Sequence, residues 1–390
     1  MDLSDSLRFL RDYIAIPSVN PMGRSDMPAA ILGETRLAEF VEQQLRHLSL
    51  DAICVGHDDR KSVIAEARVR DPLDTILIAS HLDTVPIDGM EIDPFDPVIQ
   101  NGRLSGRGSC DTKAGMAAFV AALAGVLRKG TLRRNVILVG EADEEFGSIG
   151  VQDTLQHLSR EAALSLRPDW VLATEPTNLR LVSHHKGIAL IRLHAHGQAC
   201  HSSNPGAGEN ALVNLARAIL ALEDHAGELT QEIHPLLGSP TLSVGLAGGG
   251  TAPNIVPDAA WLEMDRRLLP GEDLENVASA IAQALEKNDV HNVEIASISL
   301  GKGALDTASD HVSVRASQSA LASLRLPTEP TQAAFSTDAG VFAEQGLPGI
   351  VFGPGSIEQA HTAREFVETK QVETATAFFT ALLEGRGSDA

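Results

Sequence analysis

Short apolar runs and segments of helical periodicity alternate along the first 180 residues. Apolar residues recur at helical spacing in 3–16, 35–48 and 113–127, which predicts three helices. Three short apolar runs are typical of strands that are buried on both faces. They are residues 75–80 (TILIAS), 136–139 (VILV) and 170–174 (WVLAT). Strands that alternate with helices predict an α/β fold with a mostly parallel sheet flanked by helices.

The pattern changes after about residue 180. Residues 187–196 (GIALIRLHAH) alternate apolar and polar side chains, which predicts an antiparallel strand with one exposed face. Further helix and strand patterns complete the order β-α-β-β-α-β, that of a ferredoxin-like α+β domain. They are residues 210–223, 241–246, 259–268, 274–285 and 293–300. Since 349–353 (GIVFG) is again an apolar run, we predict that this domain, 181–295, is inserted into a main domain formed by 1–180 and 296–390.

The composition excludes several classes of protein. A net charge of −21 and an aromatic content of 4% argue against nucleic acid as a partner. The longest apolar stretch is too short to cross a bilayer, and the N-terminus lacks the apolar segment of a secretory signal. The three cysteines have no CxxC spacing, which argues against a disulfide framework or a thiolate zinc site. We therefore expect a cytoplasmic protein with no membrane partner.

An acidic segment follows the apolar run at 136–139. It places Glu141, Asp143, Glu144 and Glu145 within five residues. Runs of acidic residues are commonly solvated turns, and the segment alone permits that interpretation. However, carboxylates at the end of a buried strand repel one another unless they share protons or a cation. The carboxyl ends of strands in an open α/β sheet are also where ligands bind.

Other predicted strands are followed by residues of the same kind. His81, Glu175 and His361 each follow a predicted strand, and Asp111 lies at the start of a predicted helix. Together with one residue of the acidic segment they form a nitrogen and oxygen ligand set, which suits zinc and is too large for one tetrahedral ion. A carboxylate shared between two metal ions about 3.5 Å apart would use all five residues, as in two-metal hydrolases.

Five sequence motifs resemble those of the co-catalytic zinc aminoacylase and carboxypeptidase family. They are HLDTVP at 81–86, GRGSCDTKAGMAA at 106–118, EADEEFGSIG at 141–150, ATEPT at 173–177 and AHTAREF at 360–366. The family includes acetylornithine deacetylase, succinyl-diaminopimelate desuccinylase, aminoacylase and bacterial glutamate carboxypeptidase. The motifs have the family's order and spacing and extend over nearly the whole chain.

The resemblance implies two zinc ions per chain, with cobalt or manganese as substitutes. His81 and Glu175 would bind one ion, and Asp111 would bridge it to the second. Glu145 and His361 would bind the second ion.

Two further residues would serve the reaction itself. Asp83 would orient the imidazole of His81. Glu144 would be the general base that takes a proton from the attacking water. Adjacent side chains of an extended backbone point in different directions, so Glu145 can bind metal while Glu144 does not.

The predicted α+β domain carries a second set of motifs. HSSNPGAGENAL at 201–212 matches the family's lid domain, where the histidine reaches an active site across a dimer interface, so His201 would polarise the scissile carbonyl or stabilise its oxyanion. GGGTAPNIVPD at 248–258 matches a segment whose asparagine, here Asn254, contacts substrate. DRRLLPG at 265–271 resembles a D-x-R-x-x-P-G pattern, in which Arg267 would bind a substrate carboxylate. Its neighbour Arg266 and a surface ion pair of Arg267 are the alternative interpretations.

The resemblance thus implies a homodimeric dinuclear zinc amidohydrolase that acts on a small molecule. Its substrate would be an N-acyl amino acid or a dipeptide-like carboxypeptidase substrate. A di- or aminopeptidase with the same metal centre is an alternative, although no further acidic residue is clearly placed to bind a free α-amino group. A catalytically silent metal-binding protein is a second alternative, but it would need neither Glu144 nor His201.

Overall fold

The computed structural model of the protein describes residues 3–159 and 166–387, which form two compact units. The first unit contains the described residues up to 184, residues 305–333 and those from 337 on, and the second contains 185–304 and 334–336. The helices are α1 (Asp5–Ala15), α2 (Thr35–His47), α3 (Lys113–Lys129), α4 (Ile149–Ser159), α5 (Ala211–Leu229), α6 (Leu274–Lys287), α7 (Val312–Ser323), α8 (Asp338–Glu344) and α9 (Thr369–Leu383). No helix of the described residues is long and apolar enough to cross a membrane.

The first unit is built on one large mixed sheet. Its strands are β1 (Asp51–His57), β2 (Arg60–Ala67), β3 (Thr75–His81), β6 (Asn135–Glu141), β7 (Trp170–Ala173), β8 (Val182–His185), β15 (Leu305–Asp306), β16 (Thr331–Ala333) and β17 (Gly349–Val351). Their order is β1-β2-β6-β3-β7-β17-β8-β15, and β16 pairs with β8. The four central strands, from β6 to β17, run parallel. The predicted α/β fold with a mostly parallel sheet is therefore confirmed.

A small antiparallel sheet also belongs to the first unit. Its strands are β4 (Val98–Gln100), β5 (Arg103–Ser105) and β18 (Phe366–Glu368). β18 pairs with β5, so the segment after His361 is joined to the segment before Asp111.

The register of the parallel strands brings their carboxyl ends together. His81 is the partner of Glu141 between β3 and β6, and Ala173 of β7 is the partner of Val351 in β17. Every residue of β3 and β6 is buried, which agrees with their uninterrupted apolar runs. Side chains that follow these strands in sequence therefore emerge at one edge of the sheet.

Helix α3 reaches that edge through a close contact with the chain after β7. A β-carbon on Gly115 would lie 2.2 Å from the carbonyl oxygen of Thr174, so no larger residue fits there. Further along, Phe119 of α3 contacts Phe379 of α9 edge to face, with ring centroids 5.4 Å apart. This packing fixes the start of α3, and with it the preceding loop that carries Asp111.

The second unit is an α+β domain with its own core. Its strands are β9 (Gly187–His196), β10 (Cys200–His201), β11 (Thr241–Gly249), β12 (Ile255–Val256), β13 (Ala259–Leu268) and β14 (Val293–Lys302). The longer strands form an antiparallel sheet in the order β11-β13-β9-β14, on which α5 and α6 pack. The chain order β9-α5-β11-β13-α6-β14 confirms the predicted β-α-β-β-α-β pattern.

Asp74 directly precedes β3, at the end of the sheet opposite to His81, and its polar contacts can be tested by substitution. Its carboxylate accepts hydrogen bonds from Arg134 and, at 2.9 Å, from the indole of Trp170. The Arg134 side chain is 3% exposed, so Asp74→Asn removes a carboxylate from beside a buried guanidinium charge. We expect the free energy of unfolding to fall by about 3 kcal/mol, measured by urea denaturation.

The control is Asp5→Asn, which removes exposed ion pairs with Arg8 and Arg128. Its effect is expected to stay below about 1 kcal/mol because exposed pairs contribute little. Equal losses in the two variants would contradict a stabilising role of the Asp74 pair.

Candidate metal centre

Three parallel strands supply most of the candidate residues at their carboxyl ends. His81 is the last residue of β3, Glu144 and Glu145 follow β6, and Glu175 follows β7. Asp111 comes from the loop before α3. The backbone of His81 and Glu141 is paired in register, which sets the segments after β3 and β6 side by side.

Asp111 lies between the two candidate histidines. Its Oδ1 is 3.0 Å from Nε2 of His81, and its Oδ2 is 3.2 Å from Nε2 of His361. A second carboxylate accompanies each histidine: Glu175 is 3.9 Å from His81, and Glu145 is 3.2 Å from His361. The five side chains therefore form two groups that share one carboxylate.

Asp83 fixes the orientation of the His81 ring through contacts to Nδ1. Its Nδ1 lies 3.0 Å from the backbone carbonyl of Asp83 and 3.4 Å from the Asp83 carboxylate. Both are acceptors, so Nδ1 carries a proton. Nε2 faces a further acceptor, the Asp111 carboxylate at 3.0 Å, and donates a hydrogen bond to it, so without metal both ring nitrogens carry a proton.

The Asp83 carboxylate also holds the two consecutive glutamates. Its Oδ1 accepts the backbone N–H of Glu144 and its Oδ2 that of Glu145, both at 3.1 Å. Oδ2 accepts a further hydrogen bond from the side-chain amide of Asn20, at 2.8 Å. One carboxylate thus fixes the segments after β3 and β6 relative to each other.

Asn20 is a structural residue of the site that the sequence analysis did not identify. Its side-chain nitrogen donates to Asp143 as well as to Asp83, at 2.8 Å in each case. Asp143 also accepts a hydrogen bond from Arg60, whose Nε is 2.9 Å from Glu34. These residues are spread over the chain from position 20 to position 143, so no local sequence pattern could reveal the network.

Glu365 was also missed, although it belongs to the AHTAREF motif. Its buried carboxylate accepts backbone N–H groups of Gly108, Cys110 and Asp111 and pairs with Arg107. The motif shows that an acid follows His361. The partners of Glu365, however, are about 250 residues away in the chain and are brought close only by the tertiary fold.

The side chains of the centre affect one another's ionisation. Burial and the charge of Asp111 raise the pKa of Glu145 to about 7. Hydrogen bonds with Asp111 and Glu145 raise the pKa of His361 to about 10. Burial opposes ionisation of Asp111, but hydrogen bonds from His361 and His81 hold its pKa well below the usual range. Burial and the charge of Asp338 raise the pKa of Glu141. The raised pKa values of Glu145, His361 and Glu141 indicate that the centre carries more negative charge than its cationic side chains balance.

The residues present fit bound metal ions. Donor atoms of His81, Asp111 and Glu145 all lie within 4.8 Å of one another, and His361 and Glu175 adjoin them. Imidazole nitrogen and carboxylate oxygen are ligands that zinc accepts. A cation between these carboxylates would also relieve their mutual repulsion.

The remaining candidates lie in the second unit. His201 of β10 is paired with Ile255 of β12, and the N–H of Ser202 donates to the carbonyl of Asn254 at 3.1 Å. The structure thus brings His201 and Asn254 together, although they are distant in sequence. Arg267 pairs with Asp265 at 2.9 Å, as the ion-pair interpretation expected.

The exposed His201 imidazole has a defined tautomer. Its Nδ1 accepts the backbone N–H of Ser203 at 3.1 Å. In a neutral imidazole the proton then lies on Nε2, which makes Nε2 a hydrogen-bond donor.

Comparison with known proteins gives consistent matches. Residues 77–385 match the model of Peptidase family M20/M25/M40. An acetylornithine deacetylase of Erwinia tasmaniensis is 31% identical over 302 residues, which are 75% of this chain and 76% of the relative. A succinyl-diaminopimelate desuccinylase of Corynebacterium glutamicum is 27% identical, over 94% of this chain and 95% of the relative.

Among solved structures, an M20 family metallo-carboxypeptidase from Sulfolobus solfataricus has a similar fold. The TM-score is 0.80 at 22% identity, and the match covers 98% of this chain and 99% of that one.

Metal binding at pH 7 is expected to release protons. His361, with its pKa raised to about 10, is protonated at pH 7 without metal and must lose that proton to become a ligand. Affinity should then rise roughly tenfold per pH unit for each proton released, between pH 6 and 8.

Calorimetric titration of Zn²⁺ into metal-free protein, in two buffers of different ionisation enthalpy, counts these protons. His361→Ala should release about one proton fewer than the wild type. A binding enthalpy that is independent of the buffer would contradict this protonation state.

Proposed function

The chain belongs to Peptidase family M20/M25/M40 and is a hydrolase of amide bonds, and we propose that it removes the acyl group of an N-acyl amino acid with the aid of two zinc ions. The observation that carries the proposal is the position of Asp111 between His81 and His361, each of which adjoins a second carboxylate.

We assign His81 and Glu175 to one ion, His361 and Glu145 to the other, and Asp111 to both. The contacts within each group and the shared carboxylate support this assignment. When bound, the ions would supply Lewis-acid polarisation of the scissile carbonyl and acidify the attacking water. Cobalt or manganese could substitute for zinc, since both accept nitrogen and oxygen ligands.

Glu144 is the proposed general base. Its backbone N–H donates to Asp83, and the residue is buried, with 8% of its surface exposed. In this role its carboxylate takes a proton from the attacking water and passes it to the leaving amine. Asp83 would act as a positioning residue, because it holds the backbone of Glu144 and the ring of His81 together.

The substrate class is inferred from the relatives and from the second unit. The acetylornithine deacetylase and the succinyl-diaminopimelate desuccinylase favour an N-acyl amino acid, whose carboxylate needs a cationic partner. We assign that contact to Arg267, whose side chain is 32% exposed. Arg266 is less suited, because its side chain is 4% exposed and is paired with Glu272. Asn254, beside His201, is the proposed polar contact to the substrate.

A substrate screen tests this proposal. Zinc-loaded protein is incubated with N-acetyl, N-succinyl and N-carbamoyl amino acids and with dipeptides, and the free amine is detected with ninhydrin. We expect release from one N-acyl series, and loss of activity after chelation that added zinc restores. Release from dipeptides alone would favour the peptidase alternative, and activity that resists chelation would refute the metal assignment.

Glu144 and Glu145 should respond differently to the same substitution. Glu144→Gln is expected to retain metal and lose roughly 10²–10⁴-fold in kcat, because a general base is removed. Glu145→Gln should instead lower the metal content, since it removes a ligand. Metal analysis and kinetics of both variants decide the assignment, and equal loss of metal in the two would show that it is wrong.

The second unit is proposed to supply an oxyanion donor and a dimer interface. The Nε2–H of His201 suits the first role, since a neutral donor stabilises developing negative charge. For the second role, Leu212, Val213 and Leu220 expose an apolar stripe on α5, and β11 is an edge strand of its sheet. Exposed apolar surface and an unpaired edge are features by which two copies of a chain associate.

Complementation tests the role of His201 across the proposed dimer. His201→Ala should retain zinc and lose roughly 10²–10³-fold in kcat, the effect of one oxyanion donor. Mixing it with Glu144→Gln chains should restore part of the activity, because a mixed dimer has one intact site if His201 serves the neighbouring copy. Absence of recovery after verified subunit exchange would place His201 in its own chain's site or outside catalysis.

A further inference from the structure

Glu365 is a buried acid whose partners are all hydrogen-bond donors. Its Oε1 accepts the backbone N–H groups of Cys110 and Asp111, at 2.8 and 3.1 Å. Its Oε2 accepts the N–H of Gly108 at 3.1 Å and the guanidinium of Arg107 at 2.7 Å. All four contacts are donated to Glu365, an arrangement that stabilises a carboxylate.

The same contacts join three segments of the candidate metal centre. Glu365 lies four residues after His361, and its backbone carbonyl accepts the N–H of Gly106 at 3.2 Å. Arg107 extends the connection, because it also donates to the carbonyl of Pro86 at 3.1 Å, in the segment that begins at His81. Glu365 is therefore the point where the loops of three candidate ligands meet.

We propose that Glu365 is a positioning residue that sets the distance between Asp111 and His361, and so the affinity of the centre for metal. Asp111 is held through its own backbone N–H, and His361 belongs to the same short segment as Glu365. The two ligand side chains approach to 3.2 Å, a separation that depends on both loops. The inference rests on the proposed function, since it assigns a role toward the same metal ions.

A purely structural ion pair between Glu365 and Arg107 is the competing explanation. The guanidinium alone would satisfy such a pair, whereas here three backbone amides of the Asp111 loop converge on the carboxylate. Converging backbone amides are a geometry that binds an anion tightly and fixes the loop in return. The two explanations differ in whether a substitution at Glu365 changes the affinity of the protein for metal.

The test is the affinity of Glu365→Gln for Zn²⁺, measured by competition with a chromophoric chelator. The glutamine keeps the shape but turns an amide group toward N–H donors, so the Asp111 loop must shift. We expect the dissociation constant to rise roughly 10–100-fold, as for other residues that orient metal ligands. The d–d absorption of the Co²⁺-loaded variant should change as well, because it reports the geometry of the ligands.

Asp74→Asn is the matched control. It disrupts another buried acid–arginine pair of the same unit, at the opposite end of β3, and is also expected to lower stability. Its Zn²⁺ dissociation constant should stay within about twofold of the wild type, since distant sites act independently. An equal loss of Zn²⁺ affinity in Glu365→Gln and Asp74→Asn would show that Glu365 only stabilises the fold, and would overturn the inference.

The remaining outcomes are also decisive. A wild-type protein without Zn²⁺ affinity would refute the proposed function itself, and wild-type affinity in Glu365→Gln would refute only the role of Glu365. If Glu365→Gln does not fold, Glu365→Asp replaces it, because it keeps the charge beside Arg107 but withdraws the oxygens by one methylene. An unchanged dissociation constant in that variant would equally overturn the inference.

Discussion

Repulsion between buried carboxylates is the constraint on which the first unit depends. Acidic side chains from several strand ends meet at one edge of the sheet, and each needs fixed donors. Asp83 is bound by two backbone amides and by Asn20, Asp143 by Asn20 and Arg60, and Glu365 by a loop and a guanidinium. The chain thus supplies donors for the supporting acids, while the candidate ligands are left to share protons or a cation.

The sequence predicts the elements that have a strong pattern of their own. The apolar runs of β3, β6 and β7 and the alternation of β9 are long enough to identify, because burial on one or both faces determines every position. The hairpin of β4 and β5 was not predicted, since its strands have three residues each and are mostly exposed. The seven-residue helix α8 is similarly too short for periodicity to be visible.

The residues of the candidate site also include some that the sequence reveals and some that only the fold reveals. The candidate ligands could be grouped from the sequence because His81, Glu145 and Glu175 come at or shortly after the ends of recognisable strands, and the carboxyl ends of parallel strands meet at one edge of a sheet. Asn20, Arg60 and Glu365 could not, because their partners are distant in sequence and are brought close only by the fold. The pairing of β10 with β12, which joins the segments of His201 and Asn254, is also a tertiary feature that two-residue strands do not reveal.

The interrupted first unit imposes an order in time on the assembly of the protein. β17 pairs with both β7 and β8, yet the ribosome makes it only after the whole second unit. His361 and Glu365 emerge later still. For most of its synthesis the nascent chain therefore carries Asp111 without His361 and Glu365, which complete its surroundings in the folded protein.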